Sequence, residues 1–192
     1  MAIDEQGWLD TARRHPSPNC DDRPPGTAIE LIVIHGISLP PGKFGGPWIE
    51  DLFSNRLDPT AHPYFQEIYQ LRVSAHFLIR RDAELIQFVS LQQRAWHAGV
   101  SCFQGRERCN DFSIGIELEG ADTLPYTAAQ YDRLARLITL LRQQYPSIPA
   151  SGLAGHSDIA PGRKTDPGPA FDWPRLTGLL TGLRDQSPSR QT

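Results

Sequence analysis

A single α/β domain, with a mixed central β-sheet flanked by helices, is the fold class the sequence predicts. Three observations carry it. Apolar runs of strand length recur at residues 29–34, 71–80, 85–89 and 112–120. Two helical periodicities, at 127–146 and from 172 onward, follow them. The 192 residues, 39% hydrophobic and 21% charged, suffice for one substantial core in an ordinary globular chain.

Each element has its own signal. "IELIVI" (29–34) is a β-branched apolar run that ends at His35 and Gly36 and reads as a buried strand. "LRVSAHFLIR" alternates, which places Leu71, Val73, Ala75, Phe77 and Ile79 on one face and Arg72, Ser74 and His76 on the other. "RDAE" is a turn and "LIQFV" the return strand of a hairpin. In "FSIGIELEG", Phe112, Ile114, Ile116 and Leu118 share a face, opposite Gly115, Glu117 and Glu119. The segment opening at Thr127 has a capping box, with Gln130 three residues on. Tyr131, Leu134, Ala135, Ile138 and Leu141 then repeat at helical spacing up to Pro146. Asp172 is placed to cap a last helix carrying Leu176, Leu179, Leu180 and Leu183. Residues 36–70 read as a long loop with one short helix around "PWIEDLF", a length usually reserved for a functional loop. The expected domain spans 1–184, with a polar tail over 185–192.

Bulk properties exclude several classes. A net charge of -3 without a Lys/Arg cluster offers no footprint for nucleic acid. No run approaches the ~20 apolar residues of a membrane span, and the acidic start "MAIDEQGWLD" is no secretory signal. Three cysteines without a framework spacing point to a reducing compartment, hence the cytoplasm, and no obligate protein partner is evident.

The chemistry concentrates in "GHSDIAPGRKTDPGPAFDW" (155–173), where Pro161, Pro167 and Pro169 rule out a long helix or a central strand. Loops that hold reactive side chains at fixed spacing are common functional sites. Among the six histidines, His15 and His62 precede prolines in loops, and His76 sits inside a strand, either as a hydrogen-bonded partner of the sheet or as a support behind the site. His97, in "AWHAGV", is a candidate pocket residue beside Trp96. His35 stands where a buried strand emerges, the usual place for a ligand site. With His156 and Asp166 it makes two imidazoles and one carboxylate, a set that leaves a fourth position for water, as in catalytic zinc sites. Spacing alone does not decide between that set and structural histidines. Glu117 is either a solvated strand residue or a general base facing a cleft. No H-E-x-x-H, G-x-S-x-G or Walker loop occurs, and nothing marks Cys102 or Cys109 as an activated thiol.

"VIHGISLPPGKFGGPW", "VSAHFLIRRD", "RAWHAGVS", "GRERCNDFSIGIELEG" and the 155–173 stretch together resemble the AmpD-type 1,6-anhydro-N-acetylmuramyl-L-alanine amidases. These form part of the wider family of N-acetylmuramoyl-L-alanine amidases and peptidoglycan recognition proteins, and the likeness runs from about residue 7 to about 180. It implies a Zn2+ site of His35, His156 and Asp166, a catalytic Glu117, and Lys164 as a transition-state stabiliser. It also implies that Arg72 and Arg108 hold stem-peptide carboxylates and that Trp96 lines the sugar pocket, with small anhydro-muropeptides as substrates in cytoplasmic peptidoglycan recycling. The chain departs from the family at Gly36, where asparagine is common, at Ser157, where cysteine is frequent, and at Ala83, where the hairpin usually has glycine. Recognition proteins of this wider fold hold muropeptides without cutting them and typically lack a zinc ligand, whereas all three ligands, Glu117 and Lys164 are present here. A zinc peptidase acting within the stem would share the metal but not these motifs.

Overall fold

The computed structural model describes residues 1–185. Its strands are β1 (Arg13–Arg14), β2 (Cys20–Asp22), β3 (Leu31–Ile37), β4 (Phe77–Ile79), β5 (Leu85–Gln87), β6 (Gln93–Ala95), β7 (Cys102–Phe103), β8 (Arg106–Glu107), β9 (Ser113–Glu119) and β10 (Leu153–Gly155). Its helices are α1 (Trp48–Phe53), α2 (Phe65–Ile68), α3 (Ala128–Gln144), α4 (His156–Ile159) and α5 (Trp173–Asp185), with a 3₁₀ turn at Cys109–Phe112. Six strands form the main sheet in the order β1-β5-β4-β9-β3-β10. Only the β4–β5 hairpin in it is antiparallel, so the sheet is mixed.

The two long strands lie at its centre, paired in parallel from Leu31 opposite Ser113 to Ile37 opposite Glu119. Side chains alternate across a sheet, so one face of this pair is apolar. Ile32, Ile34, Ile114, Ile116 and Leu118 pack with Leu134, Ile138 and Leu141 of α3 and Leu176 and Leu180 of α5. Burying each such side chain stabilises the fold by roughly 1.5–3 kcal/mol. The opposite face carries Leu31 and Val33 into a smaller cluster with Cys109, Ala154 and Ile159. His35 continues that second face towards the C-terminal end of β3, directly opposite Glu117 of β9.

Both helix starts follow their capping residues. Thr127 and Gln130 form the reciprocal capping box of α3, and Asp172 Oδ1 accepts the Arg175 amide at 2.9 Å at the start of α5. Elsewhere the chain departs from the expected pattern. Residues 71–76 are not strand: Val73 and Ala75 pack with α1, whereas Phe77 and Ile79 pack with α3. The cause is local pairing, because the Ser74 hydroxyl donates to the Asn19 carbonyl at 2.6 Å while the Ser74 amide reaches the Trp96 carbonyl. Phe112 likewise belongs to the 3₁₀ turn rather than to the strand, and packs on the second face. The 36–70 connection holds α2 as well as α1. The expected tail falls, past Asp185, outside the described residues. No helix among the described residues is long and apolar enough to cross a membrane.

Candidate metal centre

Three elements converge at the C-terminal end of the central strands. β3 delivers His35, and β10 passes directly into α4, whose first residue is His156. The proline-rich loop returns Asp166, held in place where the Ser157 amide donates to the Asp166 carbonyl at 2.9 Å. His35 Nδ1 lies 3.0 Å from His156 Nδ1, and Asp166 Oδ2 lies 3.2 Å and 3.1 Å from the two nitrogens. Both histidines are buried and Asp166 is half-buried.

Such a cluster needs positive charge at its centre. The outer nitrogen of His156 faces the Ala98 carbonyl at 3.2 Å, so its ring proton belongs there and its Nδ1 lone pair points inward. His35 Nε2 is engaged likewise, by His97 Nδ1 at 3.0 Å. Two inward lone pairs and a carboxylate oxygen suit a cation. A tetrahedral zinc site with bonds of about 2.0–2.1 Å has ligand–ligand edges of about 3.3–3.4 Å, close to the separations here. The residues present therefore fit zinc.

The electrostatics agree. Burial lowers the His35 pKa to about 4, more than the neighbouring Asp166 restores, so the ring is neutral and able to bind metal. Burial alone would raise the Asp166 carboxyl, but without a metal, hydrogen bonds from ring protons of His156 and His35 outweigh that and hold it well below the usual carboxylate range; a cation at the centre takes the place of those protons. Glu117 shows the reverse: burial and the negative charge of Asp166 push its carboxyl well up, against a smaller opposing pull from Lys164. Its Oε2 is buried without a hydrogen-bond partner, so the solvated-face alternative does not hold. Glu119, two residues on, is buried too but serves the scaffold, where Arg80 Nη1 pairs with it at 3.1 Å.

A cavity of about 580 Å³ opens over this cluster, lined among others by Trp96, His97, Glu117, Arg163 and Lys164. That is the size range of small-molecule sites. Trp96 is fixed through its indole N–H, which donates to Asp21 Oδ1 at 3.0 Å. Arg72 and Arg108 are exposed and do not line this cavity; Arg108 borders an adjoining one, with Arg163 shared between the two. The remaining histidines sort by contact. His76 accepts the Gly115 amide at 3.1 Å within the sheet, His15 pairs with Glu50, and His62 accepts the Tyr64 amide in a turn. All three cysteines are free, and burial raises the Cys109 thiol, the opposite of activation.

Sequence reasoning missed Tyr126. Its hydroxyl donates to the Pro167 carbonyl at 2.9 Å, next to Asp166, and it occupies space that a side chain at position 36 would take. A Cβ on Gly36 would lie 2.3 Å from that hydroxyl, so the family departure at Gly36 has a local counterpart here. The glycine at 36 was a signal of close approach, but only the fold says by what.

Comparison with known proteins fits this geometry. The family model described as N-acetylmuramoyl-L-alanine amidase matches residues 25–169. The chain is 63% identical over 177 residues to a 1,6-anhydro-N-acetylmuramyl-L-alanine amidase, AmpD, of Escherichia coli K12, covering 92% of this chain and 96% of that protein. The AmpD of Haemophilus influenzae is 54% identical over 171 residues, covering 89% and 93%. A crystal structure of a selenomethionine AmpD derivative superposes with a TM-score of 0.91 at 61% identity, covering 94% of this chain and 99% of that one. From the folded geometry and these matches together, the chain belongs to the N-acetylmuramoyl-L-alanine amidase family, among its 1,6-anhydro-N-acetylmuramyl-L-alanine amidases.

Proposed function

We propose that this chain is a zinc-dependent amidase that hydrolyses the bond between 1,6-anhydro-N-acetylmuramic acid and L-alanine in small muropeptides, in cytoplasmic recycling of cell-wall fragments. The observation that carries the reading is the His35, His156 and Asp166 cluster beside the buried, unpartnered oxygen of Glu117, at the floor of an open cavity. Relatives at 54–63% identity bear the name of that activity. A more distant one, AmiD of Escherichia coli (TM-score 0.59, 28% identity), was solved in complex with anhydro-N-acetylmuramic acid-L-Ala-D-gamma-Glu-L-Lys. The three free cysteines accord with a reducing compartment.

His35, His156 and Asp166 would hold the ion, whose Lewis acidity would acidify a water and polarise a carbonyl when bound. Glu117 accepts the proton of the attacking water and delivers it to the departing amine of L-alanine. Positive charge at the ligand set would offset the repulsion from Asp166 and favour the ionised form of Glu117 that this role needs. Lys164 stabilises the negative charge that develops on the carbonyl oxygen. Trp96 offers its apolar face to the sugar. Arg72 and Arg108, beyond the cavity, pair with carboxylates of a stem peptide that extends out of it. Their alanine variants would then lose efficiency on a tripeptide-bearing substrate and keep it on one bearing only L-alanine.

Metal removal tests the proposal. Protein stripped by a chelator should be inactive and regain full activity with one zinc per chain. Full activity after exhaustive stripping would refute the metal role.

A further inference from the structure

We infer that Asn110 is a positioning residue for the metal centre: its side-chain oxygen fixes residues 97 and 98, which in turn orient both histidine ligands. This inference rests on the zinc reading above and deepens it.

The two histidines come from elements far apart in sequence, β3 and α4, yet their outer nitrogens meet consecutive residues. His35 Nε2 lies 3.0 Å from His97 Nδ1, and His156 Nε2 lies 3.2 Å from the Ala98 carbonyl oxygen. With the His156 proton on Nε2, that ring donates to the carbonyl; His35, with its proton on Nε2, donates to His97. The segment doing the holding lies just past the end of β6 and belongs to no strand or helix. Its amides are held instead by one side chain, because Asn110 Oδ1 accepts from His97 N at 3.1 Å and from Ala98 N at 2.8 Å.

Asn110 itself is firmly seated. It lies in the 3₁₀ turn Cys109–Phe112, where the half-buried Arg23 guanidinium donates to the Asn110, Asp111 and Ser113 carbonyls at 3.3, 2.9 and 2.9 Å. The far side of His97 is closed as well. Its Nε2 lies 3.2 Å from Ser113 Oγ, and a Cβ on Gly115 would come within 2.4 Å of the ring, so the glycine gives the imidazole its place. The path from the 3₁₀ turn to the ligands is therefore short and packed at each step. Asn110 does not line the cavity, so it does not touch a substrate there.

Groups that fix the outer nitrogen of a ligand histidine typically govern metal affinity by about 10–100-fold. The experiment is a competition titration of zinc against a chromophoric chelator, using the metal-stripped full chain, with the melting temperature of each metal-free protein measured alongside. Asn110→Leu should bind zinc about tenfold or more weakly than wild type. Asn110→Asp keeps an acceptor oxygen in the same place and should stay within a few-fold of wild type. A residue that only stabilised the turn would lower the melting temperature and leave the zinc affinity unchanged, and that result would overturn the inference. Equal weakening in Asn110→Asp and Asn110→Leu would overturn it too, since the acceptor would not be what matters. If Asn110→Leu does not fold, Asn110→Ala takes its place in the same comparison. A wild type that takes up no zinc would remove the amidase proposal and this inference with it, whereas wild-type affinity in Asn110→Leu would remove the inference alone.

Discussion

Glu117 and Glu119 occupy the same strand, the same face and nearly the same burial, yet their surroundings assign them different work. Glu119 is met by Arg80 and by the Gly45 and Arg81 amides, so its charge is fully engaged by the scaffold. Glu117 leaves one oxygen unmet beside the ligand set. Glu117→Gln removes the ability to take a proton while keeping size and polarity, so it should bind zinc and melt like wild type while turnover falls by about 10²–10⁴-fold. Near-normal kcat at saturating substrate would return Glu117 to a structural role. In the sequence the two glutamates were indistinguishable, because alternation reports a face and not a partner. His35, His156 and Asp166 could be singled out by residue type, but they are brought together only by the parallel pairing of β3 with β10 and by the return of the loop whose Asp166 carbonyl accepts the Ser157 amide. Asn110 and Tyr126 act through side-chain hydrogen bonds to backbone, which leave no pattern in a sequence.

At the scale of elements, the β4–β5 hairpin holds an unusual residue. Ala83 closes the turn, its amide donating to the Arg80 carbonyl at 2.9 Å, with a φ of +69°. A Cβ there costs roughly 1–2 kcal/mol against the following carbonyl, part of which glycine would give back in chain entropy. Ala83→Gly should therefore raise stability by up to about 1 kcal/mol without changing activity, as a denaturant titration would show; an unchanged or lower midpoint would mean the turn has relaxed around alanine. The hairpin, α3 and α5 were readable because each combines a strong period with a turn or cap. Residues 71–76 kept a strand's alternation without its pairing, since Ser74 draws the backbone towards Asn19 and Trp96. The strands β1, β2, β7 and β8 span two or three residues, too short for any period to register.

For the whole molecule, three neutral histidines packed behind or within one site make the fold acid-sensitive. Burial lowers the pKa of His76 to about 3 and of His35 to about 4, and it takes His97 well down too. In the unfolded chain these rings protonate near pH ~6.5, so below that value the unfolded state holds more protons and folding stability falls with pH. Each such group contributes up to about 1.4 kcal/mol per pH unit until its folded pKa is reached. Glu50, lowered to about 2 because the Arg13 and Arg80 hydrogen bonds outweigh its burial, adds a further loss below pH ~4.5. Glu117, whose carboxyl burial raises in the folded metal-free protein, opposes this above pH ~4.5, one group against three. The unfolding free energy of the metal-free protein should thus decline from about pH 6.5 downward; a level profile to pH 5 would show that the buried rings titrate normally. The site and the fold meet in one reaction, and product analysis tests that most directly. Mass spectrometry after incubating the zinc-loaded chain with a single anhydro-N-acetylmuramyl tripeptide should show anhydro-muramic sugar and a free tripeptide beginning with L-alanine. Substrate left intact, or fragments cut within the peptide, would contradict the account.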